Sequence, residues 1–146
     1  MASTSGLTTL LVAVLGIGIP VSFVGIWSLV CAIAARASGY RSLAEFRIDP
    51  SAAEEGEALP SPDRAMIGPS RYRGILELRS SPGGLTLRIP RIFLFHPPVR
   101  VPWERIREGG NHRIFGRSLL FDERVRLGVP EATLAAILDA KTRYAG

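Results

Sequence analysis

The distribution of apolar and polar positions divides the chain into three stretches of different character. From Leu7 to Ala35 no charged residue occurs in 29 positions, LTTLLVAVLGIGIPVSFVGIWSLVCAIAA, and the run is apolar on every side of a helix. About 20 apolar residues suffice to cross ~30 Å of hydrocarbon. The pattern therefore predicts a transmembrane helix over residues 7–35, preceded by a short extracytoplasmic tail, residues 1–6. A cleaved signal peptide needs a positive leading segment and an apolar region of about 7–15 residues. MASTSG carries no side-chain charge and the apolar run is much longer, although Ala35-Arg36-Ala37 mimics a small-x-small cleavage site and keeps processing open. Cys31 follows the bulky Val30, where a lipoprotein signal wants a small residue, and reads as a packing residue.

Arg36, Arg41 and Arg47 follow the span and no Lys or Arg precedes it. Basic residues stay on the cytoplasmic side, which predicts a single-pass protein of the inner (plasma) membrane with its carboxyl-terminal domain in the cytoplasm. Pro20 lies mid-span and withdraws one backbone hydrogen bond. Gly18 and Ser22 form a small-xxx-small pair suited to close approach of a second helix, in a homo- or hetero-oligomer; the plainer reading is that glycine is common in membrane helices. The span holds no ionisable residue, which argues against an ion or proton path.

The next segment, residues 36–63, changes composition twice. RASGYRSLAEFR spaces Tyr40, Leu43 and Phe46 by three, which suits one or two helical turns in the headgroup layer with Tyr40 as interfacial anchor, or a solvated linker. IDPSAAEEGEALPSPD carries five acids and no base, and its prolines and small residues predict an open, flexible acidic tether.

Beyond residue 64 the period becomes two. Leu76 and Leu78 alternate with polar neighbours, Ser81-Pro82-Gly83-Gly84 supplies turn chemistry, and Leu85, Leu87 and Ile89 resume the alternation, which predicts a hairpin. Further strands are expected at Met66-Ile67, Ile92–Phe95, Val99–Val101, Ile106–Glu108, Ile114–Phe121 and Val125–Val129, with a turn at Gly109-Gly110-Asn111. After Pro130, Leu134, Ile137, Leu138 and Lys141 fall at helical spacing. The fold class is thus mainly β plus a transmembrane helix. The domain, residues 64–146, is a bent antiparallel sheet or small barrel of about seven strands capped by a carboxyl-terminal helix.

This layout, with GGLTL…FLFHPPVRVPWERI and in particular Val101-Pro102-Trp103-Glu104-Arg105-Ile106, resembles small bacterial single-pass membrane proteins that carry a pleckstrin-homology or GRAM-like domain. The resemblance implies a PH-like barrel that binds anionic lipid headgroups or protein segments, or serves as a scaffold. The dense Lys/Arg loop of phosphoinositide binders has no counterpart here.

Candidate chemistry is sparse. No nucleotide loop, zinc-protease, nucleophile-elbow or CxxC motif occurs. The two histidines, His96 and His112, lie in predicted loops, and Trp103 reads as a core plug or a stacking ring. These features predict a non-enzymatic protein without cofactor or metal. Charge is the distinctive property: residues 64–129 hold 13 arginines against five acids, while the tether is acidic. A basic domain beside a cytoplasmic leaflet gains on the order of 1 kcal/mol per basic residue at the surface. Arg71, Arg73, Arg88 and Arg91 are the candidate residues for an anionic lipid or an acidic protein partner. Arginine makes up 17 of the 18 basic residues, so a compositional origin competes with a functional one. Nucleic acid is not an expected partner of a membrane-tethered chain. The predicted function is a membrane-tethered binding or scaffold module; the alternative is a small accessory subunit assembled through its membrane helix.

Overall fold

The computed structural model describes residues 3–146. Residues 1–2 of the expected extracytoplasmic tail lie outside the described residues. Helix α1, Ser3–Ala37, runs unbroken through Pro20. Most of its surface has no partner: Leu10, Ile17 and Phe23 remain about two-thirds exposed. The helix is long and apolar enough to cross a membrane. Its last turns differ. Trp27 and Ser28 are half-buried, Cys31, Ala35 and Ser38 are buried, and this three-to-four spacing turns one face toward the rest of the chain.

Nine strands and a second helix follow: β1 Glu57–Ala58, β2 Arg64–Ile67, β3 Ser70–Arg73, β4 Glu77–Ser81, β5 Gly84–Arg88, β6 Val99–Val101, β7 Ile106–His112, β8 Gly116–Phe121, β9 Val125–Gly128 and α2 Glu131–Ala145. They form two open antiparallel sheets, one of four strands in the order β1-β4-β5-β6 and one of five in the order β3-β2-β9-β8-β7. The expected hairpin is β4–β5, paired from Glu77–Arg88 to Ser81–Gly84. Gly84 is required at its turn, because its φ is 140° and a Cβ there would run into the Val101 carbonyl.

Alternation aims Leu78, Leu85, Leu87, Val99 and Val101 of the first sheet and Ile67, Leu119, Phe121 and Leu127 of the second into one core. Helix α2 contributes Leu134, Ile137 and Ala140, and the Lys141 ammonium donates to the Ile106 carbonyl. Trp103 is a core plug: it is 3% exposed, its indole N–H donates to the Ser81 carbonyl at 2.8 Å, and Tyr144 of α2 stacks beside it.

The structure corrects several expectations. Residues 64–146 hold eight strands, not about seven, and with β1 they form two open sheets and not one bent sheet or a closed barrel. Ile92–Phe95 forms no strand; Pro90, Pro97 and Pro98 withhold ladder donors around it, and the segment becomes an irregular loop. Gly109-Gly110-Asn111 is a bulge inside β7 and not a turn. Tyr40 lies in a 3₁₀ helix, Tyr40–Phe46, but is 1% exposed within the domain and not an interfacial anchor.

The acidic stretch is not an open tether. Ile48 donates to Pro98, β1 pairs with β4, and Ala53 and Leu59 are buried. Arg100 donates to Thr86 Oγ1 at 3.1 Å and to the Ala52 carbonyl at 2.6 Å, clamping residues 52–55 over the outer face of β5. This cover explains why β5 is buried on both faces.

Leu87 is fully buried in that core. Leu87→Ala is expected to lower unfolding stability by about 2–5 kcal/mol, whereas Arg113→Ala at an exposed loop position changes it by less than ~0.5 kcal/mol. Denaturation of the full chain in detergent, followed by Trp103 fluorescence in a Trp27→Phe background, checks both.

Candidate functional site

The loop that replaces the expected strand is where α1 and the domain meet. Trp27 Nε1 donates to the Ile92 carbonyl at 2.8 Å, and its ring packs on Phe93 with centroids 5.6 Å apart. The other end of the loop is fastened by three rings. The Tyr40 hydroxyl donates to the Pro97 carbonyl at 2.7 Å. His96 is buried between Tyr40 and Tyr72, with Nδ1 at 2.9 Å from the Leu94 carbonyl and Nε2 at 3.1 Å from the Tyr72 hydroxyl. A carbonyl only accepts, so Nδ1 carries the proton given to Leu94, and Nε2 is left to share a hydrogen bond with the Tyr72 hydroxyl.

Both phenols feel this enclosure. Burial pushes the Tyr40 hydroxyl well above the ordinary tyrosine range, with the nearby Tyr72 adding to the rise. Burial also raises Tyr72, opposed by a hydrogen bond with Ser38.

The candidate arginines fall into two places. Arg88 and Arg91 line a cleft of about 730 Å³ with Arg47, Glu54, Phe93, Phe95, His96 and Pro98. Arg88 is occupied there, 3.4 Å from Glu54 and 3.7 Å from Glu77. Arg91 and Arg47 have no ion pair among the described residues. Arg71 and Arg73 belong instead to the edge strand β3, where they alternate with the buried Tyr72 and line a smaller groove of about 300 Å³ with Arg64, Ile114 and Phe115. Neither makes an ion pair among the described residues. Tyr72 ties the two places together, since its hydroxyl reaches His96 in the loop beside the first cleft.

Elsewhere acids neutralise some of the arginines. Glu55 and Glu57 of the acidic stretch pair with Arg100 and Arg143, and Asp122, Glu123 and Glu108 pair with Arg105, Arg107 and Arg117. Among the described residues no group of three or more His, Cys, Asp or Glu side chains is placed to hold a metal ion.

Gly18 and Ser22 lie outside the contact with the domain. No other part of the chain comes within 4 Å of a Cβ built on Gly18. At roughly 100° per residue, Gly18, Ser22 and Gly25 point nearly opposite to the face of Trp27, Cys31 and Ala35.

Sequence reasoning missed Arg47 and the loop itself. In sequence Arg47 reads only as a topology charge, and the unbroken apolar run Ile92–Phe95 imitates a short strand although prolines flank it. Comparison with protein families, curated proteins and solved structures returns no match to this chain.

Unfolded tyrosines ionise near pH ~10, whereas the folded chain holds Tyr40 protonated to higher pH. Stability supplied by this cluster is therefore complete below that point and declines as pH rises through the folded value. Absorbance titration at 295 nm should show a last phenolate step that Tyr40→Phe removes, together with a shallower alkaline loss of stability.

Proposed function

We propose that the protein is a non-enzymatic, membrane-anchored binding module of pleckstrin-homology-like architecture, in which the cleft between Arg47 and Arg91 takes an anionic lipid headgroup. Two open sheets closed by a carboxyl-terminal helix support the PH-like reading. Arg36, Arg41 and Arg47 after the apolar helix support a single pass through the inner (plasma) membrane with the domain in the cytoplasm.

One observation carries the ligand assignment. Two guanidinium groups without acidic partners border a cleft whose far wall, Phe93 and Phe95, is apolar and belongs to the loop fastened to α1. A phosphate needs the first feature and the upper acyl chain beside it is matched by the second. Arg88 supports the wall and not the ligand, because Glu54 and Glu77 already engage it. The Arg71–Arg73 edge is a secondary basic surface.

A specific observation also favours assembly through α1: Gly18, Ser22 and Gly25 leave an uncovered strip on the side of the helix away from the domain. In that role the module is an accessory subunit whose lipid cleft stays open.

Titration of short-chain phosphatidylglycerol into the detergent-solubilised full chain tests the cleft. Arg47→Gln with Arg91→Gln removes two surface charges worth about 1 kcal/mol each, so affinity should fall by about thirtyfold. Arg71→Gln with Arg73→Gln should leave it within a few-fold. Equal binding of short-chain phosphatidylcholine, or loss only in the Arg71/Arg73 variant, overturns the assignment.

A further inference from the structure

The loop at Trp27 presents apolar side chains outward where a soluble domain would hide them. Outside α1, the described residues include five exposed large apolar side chains, and three of these fall within four consecutive positions: Ile92, Leu94 and Phe95, at 66%, 40% and 57% exposure. Phe95 has a φ of 66°, a left-handed conformation that is a genuine outlier for a bulky side chain. Such strain persists only where surrounding contacts enforce it, and here the contacts of His96, Pro97 and Phe93 fix the loop on either side. The strained residue is thus held facing away from the core.

The hydrogen bond from Trp27 sets the height of this loop along α1. Trp27 precedes Arg36, the first charged residue, by nine positions, or roughly 14 Å of helix. If the hydrocarbon begins as far toward the amino terminus as the apolar run permits, at Leu7, about 20 residues bring its boundary to Ile26, beside Trp27. If it ends as far toward the carboxyl terminus as the run permits, at Ala35, Trp27 lies roughly 12 Å inside it. Tilting the helix lodges more residues in lipid and moves the boundary further toward Arg36. Leu29, Val30 and Ile33, beyond Trp27 on the free side of the helix, remain exposed and apolar, which favours a boundary between these limits, somewhat past Trp27 and within reach of the Arg91 guanidinium. Each of these positions leaves Ile92, whose carbonyl Trp27 holds, at the hydrocarbon boundary or within it.

The geometry points to a second membrane contact: the Ile92–Phe95 loop is a wedge that enters the lipid alongside α1, with Leu94, Ile92 and Phe95 among acyl chains and Arg91 at the headgroups. The occupant is lipid of the same bilayer, because the loop is continuous with the face of α1 that lipid must cover. This inference rests on α1 spanning the membrane but not on recognition of anionic headgroups.

Site-specific labelling of the full chain in zwitterionic phosphatidylcholine vesicles tests it. In a Cys31→Ala background, single cysteines at Ile92, Phe95, Val14 and Glu104 carry an environment-sensitive fluorophore. All four positions are exposed, so the substitutions remove little core packing. Val14 should lose most of its emission to lipids spin-labelled deep in the acyl chain. Ile92 and Phe95 should be blue-shifted relative to Glu104 and lose most of theirs to lipids spin-labelled near the headgroup. Glu104 should be unaffected by either. Water-like, unquenched signals at both loop positions with Val14 quenched overturn the wedge alone. An unquenched Val14 overturns the spanning helix and the wedge with it. Blue-shifted but unquenched loop labels mean that protein covers the loop, and they also overturn the lipid contact.

Discussion

The rest of the structure depends on where water cannot be. Fifteen large apolar side chains of α1 are exposed, from Leu7 to Ile33. Each contributes about 1.5–3 kcal/mol when fully removed from water, so partial exposure still sums to something on the order of 20 kcal/mol. Small domains are stable by only about 5–15 kcal/mol in total. The preference of the helix for lipid therefore outweighs any single contact in the domain, and the domain must take up whatever position the helix allows. Trp27, Cys31 and Ala35 convert that preference into an orientation by offering one face to the loop and the adjoining chain.

Charge is arranged around the same joint. The acidic stretch is held by Ala53, Leu59 and the β1–β4 ladder, and its ion pairs with Arg88, Arg100 and Arg143 are largely exposed. Exposed pairs of this kind are weak compared with burial, so packing places the acids and electrostatics follows. The result is partial neutralisation. Arg100, Arg105, Arg107, Arg117 and Arg143 are paired with carboxylates, whereas Arg47 and Arg91, like Arg64, Arg71, Arg73 and Arg126, have no ion pair among the described residues. What sets Arg47 and Arg91 apart from the other unpaired arginines is the apolar side chains of Phe93 and Phe95 that share their cleft.

Much of the architecture was legible because single physical signals were strong. An uninterrupted apolar run, a Ser-Pro-Gly-Gly turn between alternating segments and a proline before a helical period gave α1, β4–β5 and α2. Residues 48–63 misled because acids, prolines and small residues resemble disorder, and nothing local announces that Ala53 and Leu59 fit into a sheet or that Arg100 reaches the Ala52 carbonyl. Loop 92–95 misled because a short unbroken apolar run marks a segment that leaves water, whether its cover is a sheet or something else. Of the arginines, local sequence identified candidates but not company: Arg88 and Arg91 are three residues apart, yet one is engaged by Glu54 and Glu77 and the other is not. Pairing of that sort is a tertiary property.

The tight passage from α1 into the domain has a further consequence. Ser38 and Tyr40 are buried directly after the helix, and the residues that follow are stitched to Pro98 and β4, so no slack exists between anchor and module. In the proposed placement the protein is a post and not a fishing line. It cannot sample the cytoplasm, and anything it meets must arrive by lateral diffusion or be delivered to the bilayer surface at one fixed height.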